Sequence, residues 1–178
     1  ANIARPTGGP IDTTPPVFVK SNPKPNQLNF NKNKIEIEFD EIIQVDKPTE
    51  KVIVSPAQKN MPQIQTSGLK VIVELQDSLI PNTTYTIDFS DAISDNNERN
   101  PLYNFSFSFA TGNSIDTLQI GGVLLNAENL EPVTGMLVGL HSNLNDSAFT
   151  KTPMQRIAKS DAYGRFSIKN IGAGTYRI

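Results

Sequence analysis

Hydrophobic and polar residues alternate strictly in several stretches of the first two-thirds of the chain. In Lys34–Phe39 the hydrophobic residues fall on one face and the charged residues on the other, as in a half-buried β-strand. The same alternation predicts three more strands, at residues 69–75, 85–89 and 103–109. It places Tyr85 and Tyr103 on faces that point into a core. Turn-forming residues separate these runs at spacings typical of an antiparallel sandwich, so a first β-sandwich is predicted over residues 17–111.

The remainder of the chain is predicted to form a second β-sandwich over residues 118–178. The predicted strands are residues 118–125, 136–142, 156–160 and 165–169. Residues 143–153 are predicted to form a long aperiodic loop between the second and the third of these strands. The short polar segment 112–117 is the predicted linker. Residues 1–16 are rich in Pro and Gly and are predicted to be a flexible tether. The predicted fold class is therefore all-β, with two tandem β-sandwiches.

Composition removes several classes of function. The net charge is −2 and the basic residues are scattered, which argues against nucleic-acid binding. The chain has no Cys, so a disulfide, a thiolate metal site and a Cys nucleophile are excluded. Its longest hydrophobic runs are only a few residues long, too short to cross a membrane.

Candidate catalytic chemistry is sparse. The single His, His141, precedes Ser142 on a predicted strand, and neighbouring strand residues point to opposite faces. We therefore expect no enzyme activity and no cofactor. The acidic stretch at residues 88–98 offers oxygen atoms that Ca²⁺ could use, from Asp91, Asp95, Asn97 and Glu98. Its spacing matches no calcium loop, and the alternative is that these are solvated turn residues.

Exposed aromatic rings would be needed for carbohydrate binding. The chain has no Trp and four Tyr, of which Tyr163 and Tyr176 are predicted to be the freer ones. Tyr163 lies in the Asp161–Gly164 turn, where exposure is expected, and it is the one candidate ligand contact. An incidental tyrosine on a hairpin is the alternative.

Four segments in the first part of the chain follow, in order, the pattern of a known family. They read Asp-Thr-Thr-Pro-Pro-Val from Asp12, Ile-Glu-Phe-Asp-Glu from Ile37, Pro-Asn-Thr-Thr-Tyr-Thr from Pro81 and Phe-Ser-Phe-Ala-Thr-Gly from Phe107. This part resembles the bacterial Ig-like domain of S-layer and envelope proteins. Where the family often has Asp-x-x-Gly-Asn, the chain reads Asp-Asn-Asn-Glu-Arg-Asn from Asp95. We expect an Asn of this turn to take the left-handed backbone geometry that Gly would take.

The end of the chain resembles a second family. It reads Ser-Asp-Ala-Tyr-Gly-Arg-Phe-Ser-Ile-Lys-Asn-Ile-Gly-Ala-Gly-Thr-Tyr-Arg-Ile from Ser160, similar to the carboxypeptidase-regulatory-like (prealbumin-like) domain. Such a domain needs a further strand after residue 178, so its sandwich is expected to be incomplete here. The resulting unpaired edge would either support a dimer or leave the second half poorly ordered.

The order of these two domains behind a Pro/Gly-rich tether resembles surface lipoproteins of the Bacteroidota. The resemblance implies an outer-membrane lipoprotein, on the surface or the periplasmic side, held by a lipid anchor that precedes Ala1. It implies a non-catalytic stalk or protein-binding scaffold with an envelope protein or glycan as partner. The alternative is a carbohydrate-binding module of a glycan-utilisation system.

Four Asp-Ser or Asp-Thr sequences look like the O-glycosylation acceptor motif of Bacteroidota envelope proteins. They predict sugar attachment at Thr13, Ser78, Thr117 and Ser147. All four lie in predicted tether, turn, linker or loop, where a sugar could be accommodated. The alternative is that these pairs are ordinary turn dipeptides.

Overall fold

The computed structural model describes residues 9–178 as antiparallel β-strands and two one-turn helices. In chain order the elements are β1 (Phe18–Asn22), β2 (Lys34–Phe39), β3 (Ile43–Val45), α1 (Pro48–Lys51), β4 (Ile53–Ser55), β5 (Gln63–Ser67), β6 (Lys70–Glu74), β7 (Thr84–Ser90), β8 (Ile93–Asp95), β9 (Phe105–Ala110), β10 (Leu118–Val123), β11 (Leu137–Leu140), α2 (Ala148–Lys151), β12 (Arg156–Lys159) and β13 (Arg165–Ile171). The prediction of an all-β fold is confirmed.

Two antiparallel sheets form a sandwich in the first part of the chain. One has the strand order β1-β2-β6-β5 and the other has the order β4-β7-β9, while β3 and β8 form a short separate ladder. The alternating residues of β2, β6, β7 and β9 point inward and form the first core, which includes Ile35, Ile37, Phe39, Val71, Val73, Ile87, Phe89, Phe107 and Phe109. The alternation that predicts these strands is therefore the pattern that builds this core.

Aromatic contacts stabilise the first core between neighbouring strands. Tyr85 of β7 lies opposite Phe109 of β9 in the ladder, and their rings stack with centroids 5.3 Å apart. Phe30 meets the same Phe109 edge to face at 5.1 Å. Aromatic pairs of this kind contribute about 0.5–1.5 kcal/mol beyond the area they bury. They hold β7 and β9 in one register.

A second, separate core lies in the last part of the chain. Two antiparallel ladders, β10-β13 and β11-β12, surround it. Its buried residues are Val138, Leu140, Ala158, Ile168 and Ile171, with Leu124, Phe166 and Tyr176 packed against them. The strands that enclose it agree closely with those predicted from the sequence. The predicted long loop contains the short helix α2.

Two sequence expectations about single residues of the first core are wrong. Tyr103 is 68% exposed, because Asn104 takes a left-handed φ of 57° and the resulting turn ends the alternation before β9 begins at Phe105. Leu69 is exposed as well, since it follows Gly68 in the left-handed turn that joins β5 to β6. In both places a turn replaces a strand residue that the pattern predicts.

The loop after β8 differs from expectation in its backbone geometry. Its left-handed residue is Arg99, with a φ of 64°, and not an Asn. The buried Asp95 carboxylate accepts hydrogen bonds from the backbone N–H groups of Glu98, Arg99 and Asn100, at 2.6, 2.9 and 2.6 Å. These bonds hold Arg99 in a conformation that costs a non-glycine residue about 1–2 kcal/mol.

The predicted tether lies partly outside the described residues. Of its described portion, Pro16 is buried and the backbone oxygen of Asp12 accepts a hydrogen bond from the Asn100 side chain at 3.1 Å. The next residue, Val17, donates its N–H to the Asp40 carboxylate at 2.8 Å. Residues 12–17 therefore contact the first sandwich.

Candidate functional site

The two cores meet at a polar junction. We define the junction as the contacts between β12, β13 and their adjoining segments on one side and β4, β7 and their adjoining segments on the other. The Ile157 N–H of β12 donates to the Ser55 hydroxyl of β4 at 3.0 Å. The Ala57 N–H, just after β4, donates to the Met154 carbonyl at 3.0 Å. The junction is therefore joined by hydrogen bonds of the main chain as well as by side chains.

A buried arginine crosses the junction. Arg156 begins β12 and is only 6% exposed. Its guanidinium donates to the Thr84 carbonyl, to the Ser55 carbonyl at 3.4 Å and to the Thr86 hydroxyl at 3.3 Å. Burial lowers the pKa of Arg156, and the negative charge of Asp116 partly opposes this effect. Among the described residues no carboxylate lies within salt-bridge distance of its guanidinium.

A second polar side chain joins three parts of the chain. The Asn170 side-chain oxygen accepts hydrogen bonds from the Thr86 and Ser108 hydroxyls, both at 2.8 Å. Its amide nitrogen donates to the Asp116 backbone oxygen at 2.8 Å. Asn170 takes a left-handed φ of 55°, a conformation that Asn tolerates better than most residues. β7, β9 and the segment before β10 are thereby fixed to β13.

A cleft of about 710 Å³ opens beside this junction. Its lining combines segments from both sides, around Pro56–Lys59, Asp77–Ile80 and Asn82–Tyr85 on one side and Pro153–Arg156, Gly172 and Tyr176 on the other, with Asp116 between them. Two cationic side chains, Lys59 and Arg156, and two anionic ones, Asp77 and Asp116, face it. The formal charge of the lining is therefore balanced.

The tyrosine that the sequence predicts as a ligand contact lies away from this cleft. Tyr163 is 67% exposed in its hairpin turn, as predicted, but its ring is covered on one side by the Arg165 guanidinium at 5.2 Å. Besides Tyr163, the exposed tyrosine is Tyr103, whereas Tyr176, expected to be one of the freer two, is half-buried. It packs against the second core, and its hydroxyl donates to the Gly172 carbonyl at 2.9 Å. Tyr176, and not Tyr163, lines the cleft.

The four predicted glycosylation residues lie apart from one another. Thr13, Ser78, Thr117 and Ser147 are all exposed and outside the strands. Ser78 lies on the rim of the cleft, and Ser147 directly precedes helix α2. The structure gives each of them an accessible position, and their modification stays a prediction.

The other candidate residues have structural roles. His141 is buried, Ser142 is exposed, and the His141 backbone pairs with Arg177. Of the oxygen ligands considered for calcium, Asp95 closes its own loop and Asp91 pairs with Lys51 at 3.3 Å. Residues 9–178 contain no group of three or more His, Asp or Glu side chains arranged to hold a metal ion. Nor does this part of the chain contain a helix long and apolar enough to cross a membrane.

Sequence reasoning missed the residues that build the junction, namely Arg156, Asn170 and Asp116. An arginine at the start of a strand usually points to solvent, and the oxygen atoms that Arg156 contacts come from residues about 70 to 100 positions earlier. The sequence indicates only weakly that Asn170 has a special role, because an Asn followed by Ile-Gly suggests a turn. Nothing in its neighbourhood indicates partners in the first sandwich.

The sandwich of the first core and its sequence define a class of protein. The model of the bacterial Ig-like domain family, Big_5, matches residues 12–111, which is more than half of the chain. The chain therefore belongs to the bacterial Ig-like domain family, whose members are generally non-catalytic. The match begins at Asp12, within the predicted tether, and ends where the predicted linker begins. No curated protein matches the chain.

Two solved structures are similar to it. One is the N-terminal part of the bacterial S-layer protein SbsC, with 18% identity and a TM-score of 0.37, covering 89% of this chain and 33% of that one. The other is an L,D-transpeptidase from Mycobacterium smegmatis, with 9% identity and a TM-score of 0.35, covering 92% of this chain and 79% of that one. The chain thus spans about one third of the S-layer structure.

Proposed function

We propose that the chain is a non-catalytic structural and interaction module of a bacterial cell-envelope lipoprotein, acting as a stalk or protein-binding scaffold. The observation that carries this proposal is the hydrogen-bonded junction. Flexibly linked domains need only a connecting segment, whereas here Arg156 and Asn170 bond to β7 from the far side of the junction. A stalk has to keep its domains in one orientation, and buried polar contacts with fixed geometry do this.

The envelope setting is part of the same proposal. Membership of the bacterial Ig-like family supports an extracellular or envelope location. The resemblance to Bacteroidota surface lipoproteins supports the finer statement, an outer-membrane lipoprotein anchored by a lipid before Ala1. The partner would be another envelope protein bound through an exposed strand edge.

Rigidity of the junction can be measured directly. The chain has no native Cys, so the variants Lys32→Cys and Glu128→Cys place spin labels only at two exposed positions, one near each core. Pulsed electron resonance on the double variant is expected to give one narrow distance distribution. A single label at either position serves as the control for background. A broad distribution that spans many distances would contradict the stalk.

The edge of β11 that faces away from β12 is the surface that we propose for binding a partner protein or a second copy of the chain. β11 pairs with β12 along one side, and on the other side His141 and Arg177 exchange two backbone hydrogen bonds of 2.9 Å. Since every second residue of a strand points the same way, the backbone groups of Leu137 and Gly139 face this side too. They make no main-chain hydrogen bonds there within residues 9–178. An exposed edge of this kind can accept another strand.

Native mass spectrometry of the protein purified from its bacterial host tests the lipid and the sugars, and the same measurement on the chain of residues 1–178 tests the dimer. We expect the host protein to carry the mass of a lipid and of hexoses at Thr13, Ser78, Thr117 or Ser147, and residues 1–178 to form a dimer. Detergent-free protein from a heterologous cytoplasm is the unmodified control. An unmodified mass from the native envelope would overturn the lipid and the sugars, and a monomer of residues 1–178 would overturn the dimer.

A further inference from the structure

Two charged groups in the junction cleft have unused hydrogen-bonding capacity. The Asp116 carboxylate is half-buried and accepts no hydrogen bond from the described residues, since Asp116 bonds to Thr84 and Asn170 only through its backbone. The Arg156 guanidinium has five N–H donors, and its three contacts are with neutral oxygen atoms. A buried cation without a carboxylate partner, such as Arg156, is costly, and groups of this kind cluster at functional sites.

We propose that this cleft binds a neutral oligosaccharide. A sugar hydroxyl both donates and accepts hydrogen bonds, so neighbouring hydroxyls can donate to Asp116 while accepting from Arg156. The volume of about 710 Å³ falls within the range of about 300–1,000 Å³ that is usual for small-ligand sites.

The remaining lining fits the same ligand class. Several residues with amide or hydroxyl side chains line the cleft, namely Gln58, Ser78, Asn82, Thr83 and Gln155. The half-buried ring of Tyr176 offers an apolar surface, which carbohydrate C–H groups prefer. Because the lining carries balanced charge, it favours a neutral sugar over a uronate or a phosphosugar, which would need a net positive site.

The proposal does not depend on the envelope setting, because it rests only on the geometry of the cleft. Carbohydrate binding, the alternative function predicted from the sequence, is thereby assigned to the junction cleft and not to Tyr163. Asp116 is the best residue for a test, since its structural hydrogen bonds use backbone atoms and survive a change of side chain. Gln155 is a second choice, since its side chain donates only to the exposed Ser142 hydroxyl.

The experiment is saturation-transfer NMR and calorimetric titration of the whole chain with a panel of neutral di- and trisaccharides built from hexoses and N-acetylhexosamines. We expect millimolar or tighter binding of at least one member. Asp116→Asn and Gln155→Ala should each weaken it about tenfold. Asp91→Asn, a matched loss of charge outside the cleft, and Tyr163→Ala should leave it unchanged.

The outcomes are separable. The proposal is overturned if no neutral saccharide binds at millimolar concentration. It is also overturned if Tyr163→Ala abolishes binding and Asp116→Asn does not. Stronger binding of the corresponding uronates overturns the assignment to neutral sugars. If Asp116→Asn alters the circular dichroism spectrum, Gln155→Ala alone decides.

Discussion

Replacing Arg156 with methionine is expected to lower the free energy of unfolding by roughly 3 kcal/mol and to uncouple the two cores. Methionine fills similar space but leaves the Thr84 and Ser55 carbonyls and the Thr86 hydroxyl without their donor. Each buried acceptor left unpaired costs about 1–3 kcal/mol. Enclosing a cation is itself unfavourable, which is also why burial lowers the pKa of Arg156, so the apolar side chain recovers part of the loss.

The measurement is urea unfolding followed by circular dichroism, together with the distance between the Lys32→Cys and Glu128→Cys labels. We expect Arg156→Met to turn a single transition into two and to broaden the distance distribution. Lys159→Met is the matched control, because its ammonium group donates to the Glu50 carbonyl at the exposed edge of the same junction. Its effect should stay below about 1 kcal/mol. One cooperative transition of wild-type midpoint in Arg156→Met would show that the guanidinium does not hold the cores together.

The strands of this fold could be predicted because their cause is local. A period of two in β2, β7 and β9 places every second side chain in the first core, and no distant information is needed to detect it. The turns were harder to predict. Asn104 and Arg99 adopt left-handed geometry for reasons that lie in the surrounding loop, so the sequence pattern places Tyr103 in the core and predicts the wrong residue type in the loop after β8.

The junction could not be predicted because its cause is not local. Arg156 is buried only because β4 and β7 supply oxygen atoms at the place where β12 packs. Tyr176 is held by the second core and the Gly172 carbonyl. The sequence identified Tyr163 correctly as exposed, since a hairpin turn determines exposure by itself. Exposure did not make it part of a site, which requires groups that converge from both sides of the junction.

The loop after β8 allows a prediction of similar size. Asp95→Ala is expected to lower the free energy of unfolding by roughly 3 kcal/mol, because the carboxylate of this 1% exposed residue accepts three backbone hydrogen bonds. Bonds to a charged group contribute about 1.5–3 kcal/mol each, and the loss is smaller than their sum because the N–H groups of the exposed Glu98 and Arg99 bind water in the variant. Without it, the left-handed Arg99 loses its support. The loop also positions Asn100, which bonds to the segment before β1.

The effect should depend on pH. Burial acts to raise the pKa of Asp95, but the backbone N–H groups of residues 97–100 outweigh it and bring the pKa below its ordinary value of 3.8. The stabilising contribution is therefore fully present above that ordinary value and is lost as the pH falls through the lower pKa of the folded state. Urea unfolding at neutral and at acid pH should show the difference between wild type and Asp95→Ala shrinking in acid. Asp91→Ala, which removes only a surface pair with Lys51, should cost less than about 1 kcal/mol. An Asp95→Ala deficit that stays constant as the carboxylate titrates would mean that packing, and not the charged hydrogen bonds, closes the loop.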